Sequence, residues 1–299
     1  MKRVIIDGNN ALYRAIHVQA NLSNGKGEYT GGCFGLLKIL ENISYMGKMT
    51  VVFDGKDGGD YRRKIYPEYK MNRFIPEDKK TDEDRLTEHK KEISFKQCYE
   101  ILPALGISHV YIDGLEADDL IYTLAKHYQA QGDDVTVVSE DQDFLQLIPM
   151  GIKIYQPTKR LMMNEENFVK KFGFGSQCSV LAKSLQGDTS DNIKGVHGIG
   201  PKTIEKIMKE IESPTIENIL GWADTGKTTV AKGKLLLSRD VLELNTKIID
   251  LTKSGLPHDK VAERCLLKMN TTQKDKVKAK ELIKYLDFDS LYGMIDREY

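Results

Sequence analysis

The sequence lacks paired cysteines, long hydrophobic runs and an excess of charge of either sign. Its 299 residues contain four cysteines, none in a CxxC pair, and 44 Lys and Arg against 44 Asp and Glu. Such cysteines argue against a disulfide framework or a CxxC zinc site and favour reduced thiols in a cytoplasmic protein. Because no run approaches the roughly 20 apolar residues of a membrane span, and Asp7 interrupts the apolar N-terminal run, we expect neither a membrane segment nor a signal peptide.

The neutral total conceals an uneven distribution of charge. Residues 62–73 contain five Lys and Arg and one acid, and residues 226–287 contain fourteen Lys and Arg and eight Asp and Glu. A solvated basic face is the simplest interpretation of either segment alone. Acidic residues, in contrast, collect directly after predicted strands. An acidic centre with basic approaches favours a polyanionic ligand that is cut with the help of metal ions.

Short apolar strands alternate with amphipathic helices over the first 163 residues. We predict strands at 3–6, 50–53, 107–112 and 135–139, and an edge hairpin of 152–155 with 161–163. Helices are predicted at 11–18, at 34–43, from 93 to about 105 and at 116–131. This alternation is typical of an α/β fold with a parallel sheet.

Residues 56–92 interrupt the alternation. From Pro76 to Glu92 the only aliphatic side chain is Leu86. Such a segment buries too little apolar area to offset the entropy of ordering it, so we expect it to be mobile until a ligand binds.

After Asn164 the pattern is entirely helical. Helices are predicted at 165–172, 176–186, 202–211, 215–222, 229–251, 276–286 and 290–298, with no further strand. Because a single core rarely grows beyond roughly 250–300 residues, we predict two domains, 1–180 and 181–299.

Carboxylates gather where the predicted strands end. They are Asp7, Asp54, Asp141 and Asp143 after strands, Glu116, Asp118 and Asp119 at a helix start, and Asp188 and Asp191 further along. Parallel strands bring such residues to one crevice, where each charged pair would repel by about 1 to 4 kcal/mol. Hard divalent cations such as Mg²⁺ or Mn²⁺ prefer oxygen ligands and would offset this repulsion. Each acid alone is interpreted more simply as a cap or turn residue, but together they predict a site where two ions about 3.5–4 Å apart clamp a phosphate.

A glycine-rich turn from Gly195 to Thr203 follows these acids. Its glycines permit a close backbone approach, Pro201 suits the first turn of a helix, and the free amides at that helix start can hold a phosphate beside Lys202. This would be a sequence-independent grip on a nucleic-acid backbone. An ordinary connector between two helices is the alternative.

The segment from Tyr66 to Arg73 is basic and aromatic. On a helix Lys70 and Arg73 would share one face and could meet one phosphate, while Tyr69 would offer a ring on which a base stacks. The alternative is a solvated basic helix with a tyrosine in the core.

In their order along the chain these motifs resemble the structure-specific 5′-nuclease (flap endonuclease) family. The resemblance rests on Val51-Val52-Phe53-Asp54, Tyr69-Lys70 with Arg73, Glu116-Ala117-Asp118-Asp119-Leu120, Ser139 to Phe144, and Gly187 to Ile193 leading into 198–203. The chain is most similar to the free-standing bacteriophage 5′-nuclease and RNase H type. It is also similar to the 5′→3′ exonuclease domain of bacterial DNA polymerase I.

The resemblance implies a fold and roles for the residues. The fold is a PIN-like nuclease core with a helical arch at about 74–96, followed by an all-helical domain with a helix-3-turn-helix DNA-binding motif. Asp7, Asp54, Glu116 and Asp118 would surround one ion, Asp141, Asp143 and Asp188 a second, with Asp119 and Asp191 in outer positions. Lys70, Arg73 and Tyr69 would act at the scissile phosphate. Nucleic acid would contact Arg62, Arg63, Lys64, Gly198, Gly200, Lys202 and Thr203, with K⁺ at the glycine turn.

The implied activity is 5′→3′ exonuclease and flap endonuclease cleavage, with RNase H activity, that leaves 5′-phosphate and 3′-hydroxyl ends. Expected substrates are branched or 5′-ended DNA and RNA–DNA hybrids during primer or flap removal, with replication proteins as possible partners. We expect a monomer in the cytoplasm, or in the host cytoplasm if a phage encodes it. The alternatives are a flap- or junction-binding protein that does not cut, and a PIN-like single-strand ribonuclease.

Overall fold

A computed structural model describes residues 1–225, 229–269 and 273–299, so the basic segment 226–287 lies partly outside the described residues. The predicted parallel sheet is confirmed. Its strands are β1 (Lys2–Asp7), β2 (Lys48–Val52), β3 (Ser108–Val110), β4 (Asp134–Val138), β5 (Lys153–Gln156) and β6 (Leu161–Met163), in the order β3-β2-β1-β4-β5-β6. All neighbouring strands pair in parallel except β5 and β6, which form the predicted antiparallel hairpin.

Helices cover both faces of the sheet. Those of the first part are α1 (Gly8–Val18), α2 (Gly31–Ile43), α3 (Asp60–Ile65), α4 (Asp82–Ala104) and α5 (Ala117–Ala130). In β1, Val4 and Ile6 contribute to one core and Ile5 to the other. A strand whose neighbouring side chains are all buried must have both faces covered, and this explains its continuous apolar sequence.

The later part of the chain is helical apart from one short ribbon. Its helices are α6 (Glu165–Phe172), α7 (Ser179–Gln186), α8 (Pro201–Glu210), α9 (Ile216–Asp224), α10 (Val230–Leu236), α11 (Arg239–Ile249), α12 (His258–Met269) and α13 (Lys276–Tyr285). Between α7 and α8, β7 (Gly187–Asp188) pairs antiparallel with β8 (Ile193–Lys194). The prediction that strands end at Asn164 is therefore wrong. This ribbon holds the loop that carries two of the predicted acids.

Helix boundaries differ from the prediction in several places. Helix α4 begins at Asp82, eleven residues before the predicted start, because Thr81 and Asp84 form a reciprocal capping box. Residues 229–251 form two helices, α10 and α11, instead of one, and α12 was not predicted. Beyond α13 only a short 3-10 helix, Asp289–Met294, lies in the predicted helix 290–298.

The end of the chain returns to the first part of the molecule. Helix α12 contacts α5, and α13 contacts α4. Residues of α13 and of the following 3-10 helix, including Ile283 and Leu291, lie in the same core as α2. The division at residue 180 stays a prediction. Among the described residues, none of the helices combines the length and apolar character needed to cross a membrane.

Candidate metal centre

The carboxyl ends of β1 and β2 meet the start of α5 and bring four acids together. We call Asp7, Asp54, Glu116 and Asp118 the edge group. Asp7 ends β1, caps α1 by accepting from the Asn10 amide, and accepts from Ser139 Oγ at 2.8 Å. Asp54 follows β2 and accepts from the Ala117 amide of α5 at 2.7 Å. Asp7 and Glu116 are buried, Asp118 is half-buried and Asp54 is exposed, so the group extends from the interior to the surface.

The crowding of carboxylates in the edge group raises the pKa values of two of its members, Asp7 and Asp118. Burial, with further contributions from the nearby Asp141 and Asp54 carboxylates, raises the pKa of Asp7 to about 7. Burial also raises the pKa of Asp118 well above its usual range, and Asp141, Glu116 and Asp7 add to this while Lys70 opposes it. Protons thus neutralise these crowded carboxyl groups, and a bound cation would displace the protons and neutralise the carboxylates in their place.

Glu116 differs from its neighbours because two cations contact it. Burial alone would raise its pKa, but the Lys70 ammonium and the Arg62 guanidinium lower it. Lys70 Nζ lies 2.5 Å from one Glu116 oxygen, and Arg62 Nη1 donates to the other at 2.6 Å. Tyr69 OH lies 3.2 Å from both Glu116 Oε2 and Asp191 Oδ2. It therefore links the edge group to a second set of acids.

We call this second set, Asp143, Asp188 and Asp191, the loop group. Each of its residues offers an oxygen, and these oxygens lie within 4.8 Å of one another. Asp143 lies in the 3-10 helix Gln142–Met150, and the other two lie at the β7–β8 ribbon. The Asp143 amide donates to Asp141 Oδ1 at 2.9 Å, so Asp141 stands between the edge group and the loop group. An all-oxygen set of this kind fits Mg²⁺ or Mn²⁺.

Lys183, on α7, neutralises the loop group and was missed by sequence reasoning. Its ammonium contacts Asp143 and lies 2.7 Å from Asp188 Oδ2. Although burial would raise the pKa of Asp188, Lys183 and the hydrogen bonds from Ser190 lower it to about 2. The available sequence signal was the position of Lys183 in the last turn of the helix that leads into Asp188. Its side chain shows that the loop group accommodates a cation.

A predicted nucleic-acid contact, Arg62, and a predicted outer metal ligand, Asp119, are buried beside the edge group and pair with each other. Arg62 and Asp119 have exposed fractions of 4% and 2%. Arg62 donates to both Asp119 oxygens, at 2.8 and 2.9 Å, and to the Ile248 carbonyl of α11 at 3.1 Å. This placement contradicts direct contact of Arg62 with nucleic acid. It also engages both oxygens of Asp119, which was predicted as an outer metal ligand.

The helical arrangement predicted for Lys70 and Arg73 is wrong. Lys70 has a positive φ of 57° and precedes a single 3-10 turn, Met71–Arg73. Tyr69 is 2% exposed, so its ring is a core residue and cannot stack on a base. Arg73 Nη2 lies 2.5 Å from Asp191 Oδ1 and the side chain is half exposed. Lys70 and Arg73 thus reach the acids from a turn that is bonded to the β7–β8 loop.

The glycine turn presents an open helix start, as its sequence indicates. Val196 and Ile199 anchor the turn in the core, whereas Gly198, Gly200 and Lys202 are exposed and Thr203 is half-buried. Within the described residues no side chain caps α8, which begins at Pro201 after Gly200. A cavity of about 580 Å³ extends from Asp143, Lys183 and Asp188 to Pro201 and Lys202. Of the other predicted basic contacts, Arg63 is half-buried and pairs with Asp60, and Lys64 is exposed.

Comparison with known proteins relates both parts of the chain to nucleases. The sequence model of the 5′-3′ exonuclease N-terminal resolvase-like domain matches residues 2–173, and that of the 5′-3′ exonuclease C-terminal SAM fold matches 177–274. The chain is 33% identical to a 5′-3′ exonuclease of Buchnera aphidicola over 72% of each protein. It is 31% identical to a 5′-3′ exonuclease of Aquifex aeolicus over 83% of this chain and 80% of that protein.

Further likenesses are more partial or concern the fold. DNA polymerase I of Caldicellulosiruptor bescii is 29% identical over 97% of this chain but only 33% of the polymerase. A bacteriophage T5 flap endonuclease, solved as a pseudo-enzyme–product complex with DNA and metal ions, superposes with a TM-score of 0.73 at 21% identity, covering 91% of this chain and all of that one. The T5 5′-exonuclease with bound zinc gives 0.71 at 21% identity, covering 95% of this chain and 99% of that one. These structures share the fold of this chain.

Proposed function

The chain belongs to the 5′-3′ exonuclease family, and from that membership we propose that it hydrolyses phosphodiester bonds of 5′-ended and 5′-flap DNA with two bound divalent metal ions. The observation that carries the proposal is the convergence of the edge group and the loop group at one end of the sheet. Buried like charges in this number oppose folding unless protons or cations neutralise them. Raised pKa values in the edge group and the Lys183 ammonium in the loop group show both forms of neutralisation.

We assign the ligands from these contacts. The edge group, with Asp141, would hold one Mg²⁺ or Mn²⁺, and the loop group, also with Asp141, would hold the other. In this assignment Asp191 is a ligand, since its oxygens lie with those of Asp143 and Asp188. When bound, such ions activate water and stabilise the charge that develops on the scissile phosphate. Asp119 is left out because both its oxygens accept from Arg62.

The remaining side chains would position the substrate. Lys70 and Arg73 approach the acids from the β7–β8 loop side, where a phosphate would replace the carboxylates as their partner. The open start of α8, with Lys202, would hold the backbone of the duplex at the other end of the cavity. We also propose that K⁺ binds at this turn.

Cleavage is favoured over mere binding because every acid of the two proposed ligand sets is present in the chain. A single-strand ribonuclease is disfavoured because the C-terminal SAM-fold model also matches. We further propose activity on RNA in RNA–DNA hybrids, a role in primer or flap removal during DNA replication, a monomeric state and a cytoplasmic location.

The test uses end-labelled 5′-flap, nicked and RNA–DNA substrates with Mg²⁺, with Mn²⁺ and with EDTA. We expect cleavage near the junction or the 5′ end that leaves 5′-phosphate and 3′-hydroxyl products and that EDTA abolishes. Binding without cleavage under all metal conditions would support the flap-binding alternative. Cleavage of single-stranded RNA alone would support the ribonuclease.

A further inference from the structure

Three large apolar side chains are exposed beside the candidate metal centre. Met71, Phe74 and Ile75 have exposed fractions of 54%, 69% and 38%. Burying a phenylalanine side chain stabilises a protein by about 1.5–3 kcal/mol, so the folded chain forgoes this contribution at Phe74. Among residues 1–225, 229–269 and 273–299, no aromatic ring contacts the Phe74 ring. Stability of the free protein therefore does not explain a phenylalanine at this position.

The turn that carries Phe74 is fixed to the loop group. Asn72 Nδ2 donates to the Thr189 carbonyl at 2.8 Å, and Arg73 Nε donates to the Ser190 carbonyl at 3.0 Å. The Lys70 amide donates to the Asp191 carbonyl at 2.9 Å. These bonds hold residues 70–73 against the loop between Asp188 and Asp191. Phe74 therefore follows a backbone segment that is held in place next to the loop group.

The backbone after the turn is restrained as well. Phe74 is extended, with φ −86° and ψ 116°, and its amide donates to the Met71 carbonyl. Pro76 follows one residue later with φ −54°, and proline restricts Ile75 before it to extended conformations. An exposed ring on a restrained backbone loses little conformational entropy when a flat ligand covers it.

The charges around Phe74 select the kind of ligand. Lys70 and Arg73 flank the turn, and each is positioned to exchange a carboxylate for a phosphate. A phosphodiester strand held by these two cations would bring its bases near Phe74, because Phe74 follows Arg73 directly in the chain and is exposed. Aromatic side chains beside a basic groove bind single-stranded nucleic acid by stacking, without reading its sequence.

We propose that Phe74, supported by Met71 and Ile75, is a stacking platform for a nucleobase of the 5′ strand next to the scissile phosphate. This inference rests on the proposed function, because that function supplies the strand. It assigns to Phe74 the base-stacking role that the sequence suggested for the buried Tyr69. The platform holds the strand by a base while Lys70 and Arg73 hold its phosphate.

The test is the binding of a fluorescent 5′-flap DNA by the full chain in EDTA, where no cleavage occurs. We expect Phe74→Ala and Phe74→Leu to weaken binding by about 5- to 150-fold, and Phe74→Trp and Phe74→Tyr to bind as the wild type does. Tyr45→Ala is the matched control. Tyr45 is 78% exposed but precedes β2, at the end of the sheet opposite the acids, so its removal leaves binding unchanged.

A second arm removes the base instead of the ring. On flap DNA with abasic nucleotides on both sides of the scissile phosphate, wild type and Phe74→Ala are expected to bind equally, because the partner of the ring is missing. The platform is refuted if Phe74→Ala binds intact flap DNA as well as the wild type does, or if its deficit persists on the abasic DNA. It is also refuted if Phe74→Trp loses as much affinity as Phe74→Ala. Absence of cleavage by the wild type in Mg²⁺ would overturn the proposed function, not this binding result.

Discussion

The edge group and the loop group lie side by side and are neutralised in opposite ways. In the edge group, Lys70 and Arg62 pair with Glu116, but burial and mutual repulsion raise the pKa values of Asp7 and Asp118, so protons remove the charge of these two. In the loop group, Lys183 lowers the pKa of Asp188, and Arg73 pairs with Asp191. A metal ion in the edge group would therefore replace the protons of Asp7 and Asp118, whereas a metal ion in the loop group would compete with side-chain cations.

Asp118→Asn tests the dependence of the edge group on metal and should have the largest effect. We expect cleavage of flap DNA to fall by roughly 10³-fold or more, which corresponds to about 4 kcal/mol in the barrier, while DNA binding in EDTA is retained. The measurement is single-turnover cleavage with Mg²⁺. Asp57→Asn is the control, because Asp57 is exposed and has φ 58°, which asparagine tolerates. Wild-type turnover by Asp118→Asn would remove the edge group from the proposed site.

Arg62→Met tests how much the buried ion pairs of Arg62 with Glu116 and Asp119 contribute to the stability of the fold around the edge group. Arg62 is buried and bonded to Glu116 and Asp119, so its loss leaves the buried Asp119 without the guanidinium that both its oxygens accept from, and leaves Glu116 with Lys70 as its remaining cation. The free energy of unfolding in urea should fall by about 3–5 kcal/mol. Arg63→Met, which removes a partly exposed pair with Asp60, should change it by less than about 1 kcal/mol.

A double variant separates the charge from the packing. Arg62→Met with Asp119→Leu replaces a buried ion pair by apolar side chains, and we expect it to recover part of the stability that Arg62→Met loses. No recovery would mean that the pair with Asp119 contributes little and that the contact with Glu116 or Ile248 dominates.

The pH dependence of stability should have opposite signs for Asp7 of the edge group and Asp188 of the loop group. Asp7 has a folded pKa of about 7 against an ordinary value of 3.8, so the native state binds the extra proton between these values. The metal-free protein should therefore lose stability as pH rises from about 4 to 7, by at most about 4 kcal/mol from this group. Asp188, with its pKa lowered to about 2, stabilises the protein above pH 3.8 and loses that contribution as pH falls towards 2.

Asp7→Asn checks this difference. In EDTA the variant should show a flatter stability profile between pH 4 and 7 than the wild type, measured by urea unfolding at each pH. Asp188→Asn should leave the slope of the profile between pH 4 and 7 unchanged but lower the free energy of unfolding throughout that interval. Equal slopes for wild type and Asp7→Asn would mean that Asp7 is ionised throughout the interval.

The difference between the groups also explains what the sequence could predict. Buried parallel strands are continuous apolar runs, and acids such as Asp7 and Asp54 directly follow these runs in the sequence. The sheet and the edge group could therefore be inferred from local sequence pattern. The start of α4 could have been inferred from the capping box of Thr81 and Asp84, but the polar composition of residues 76–92 favoured a mobile segment instead.

Side-chain partners could not be inferred in the same way. Arg62 meets Glu116 and Asp119 across 54 and 57 residues, and Lys183 meets Asp143 across 40. A basic residue in such a sequence looks the same whether it faces solvent or a buried carboxylate. The sequence left two interpretations of Tyr69 open, a base-stacking ring and a core residue. The structure shows that Tyr69 is buried, so it is the core residue, and this burial depends on the fold and not on local sequence.

Lys183→Met tests the remaining half of the comparison, with the smallest expected effect. Without the ammonium, Asp143 and Asp188 lose a charged hydrogen-bond partner, so the metal-free protein should be destabilised by about 1.5–3 kcal/mol. Added Mg²⁺ should then raise the melting temperature more than in the wild type, because the ion no longer competes with a lysine. Lys171→Met is the control, since Lys171 lines the same cavity and its ammonium lies over the Phe172 ring, 4.7 Å from the ring centroid. If Mg²⁺ stabilises Lys183→Met less than it stabilises the wild type, Lys183 assists metal binding instead of competing with it, and the loop group is not a preformed cation site.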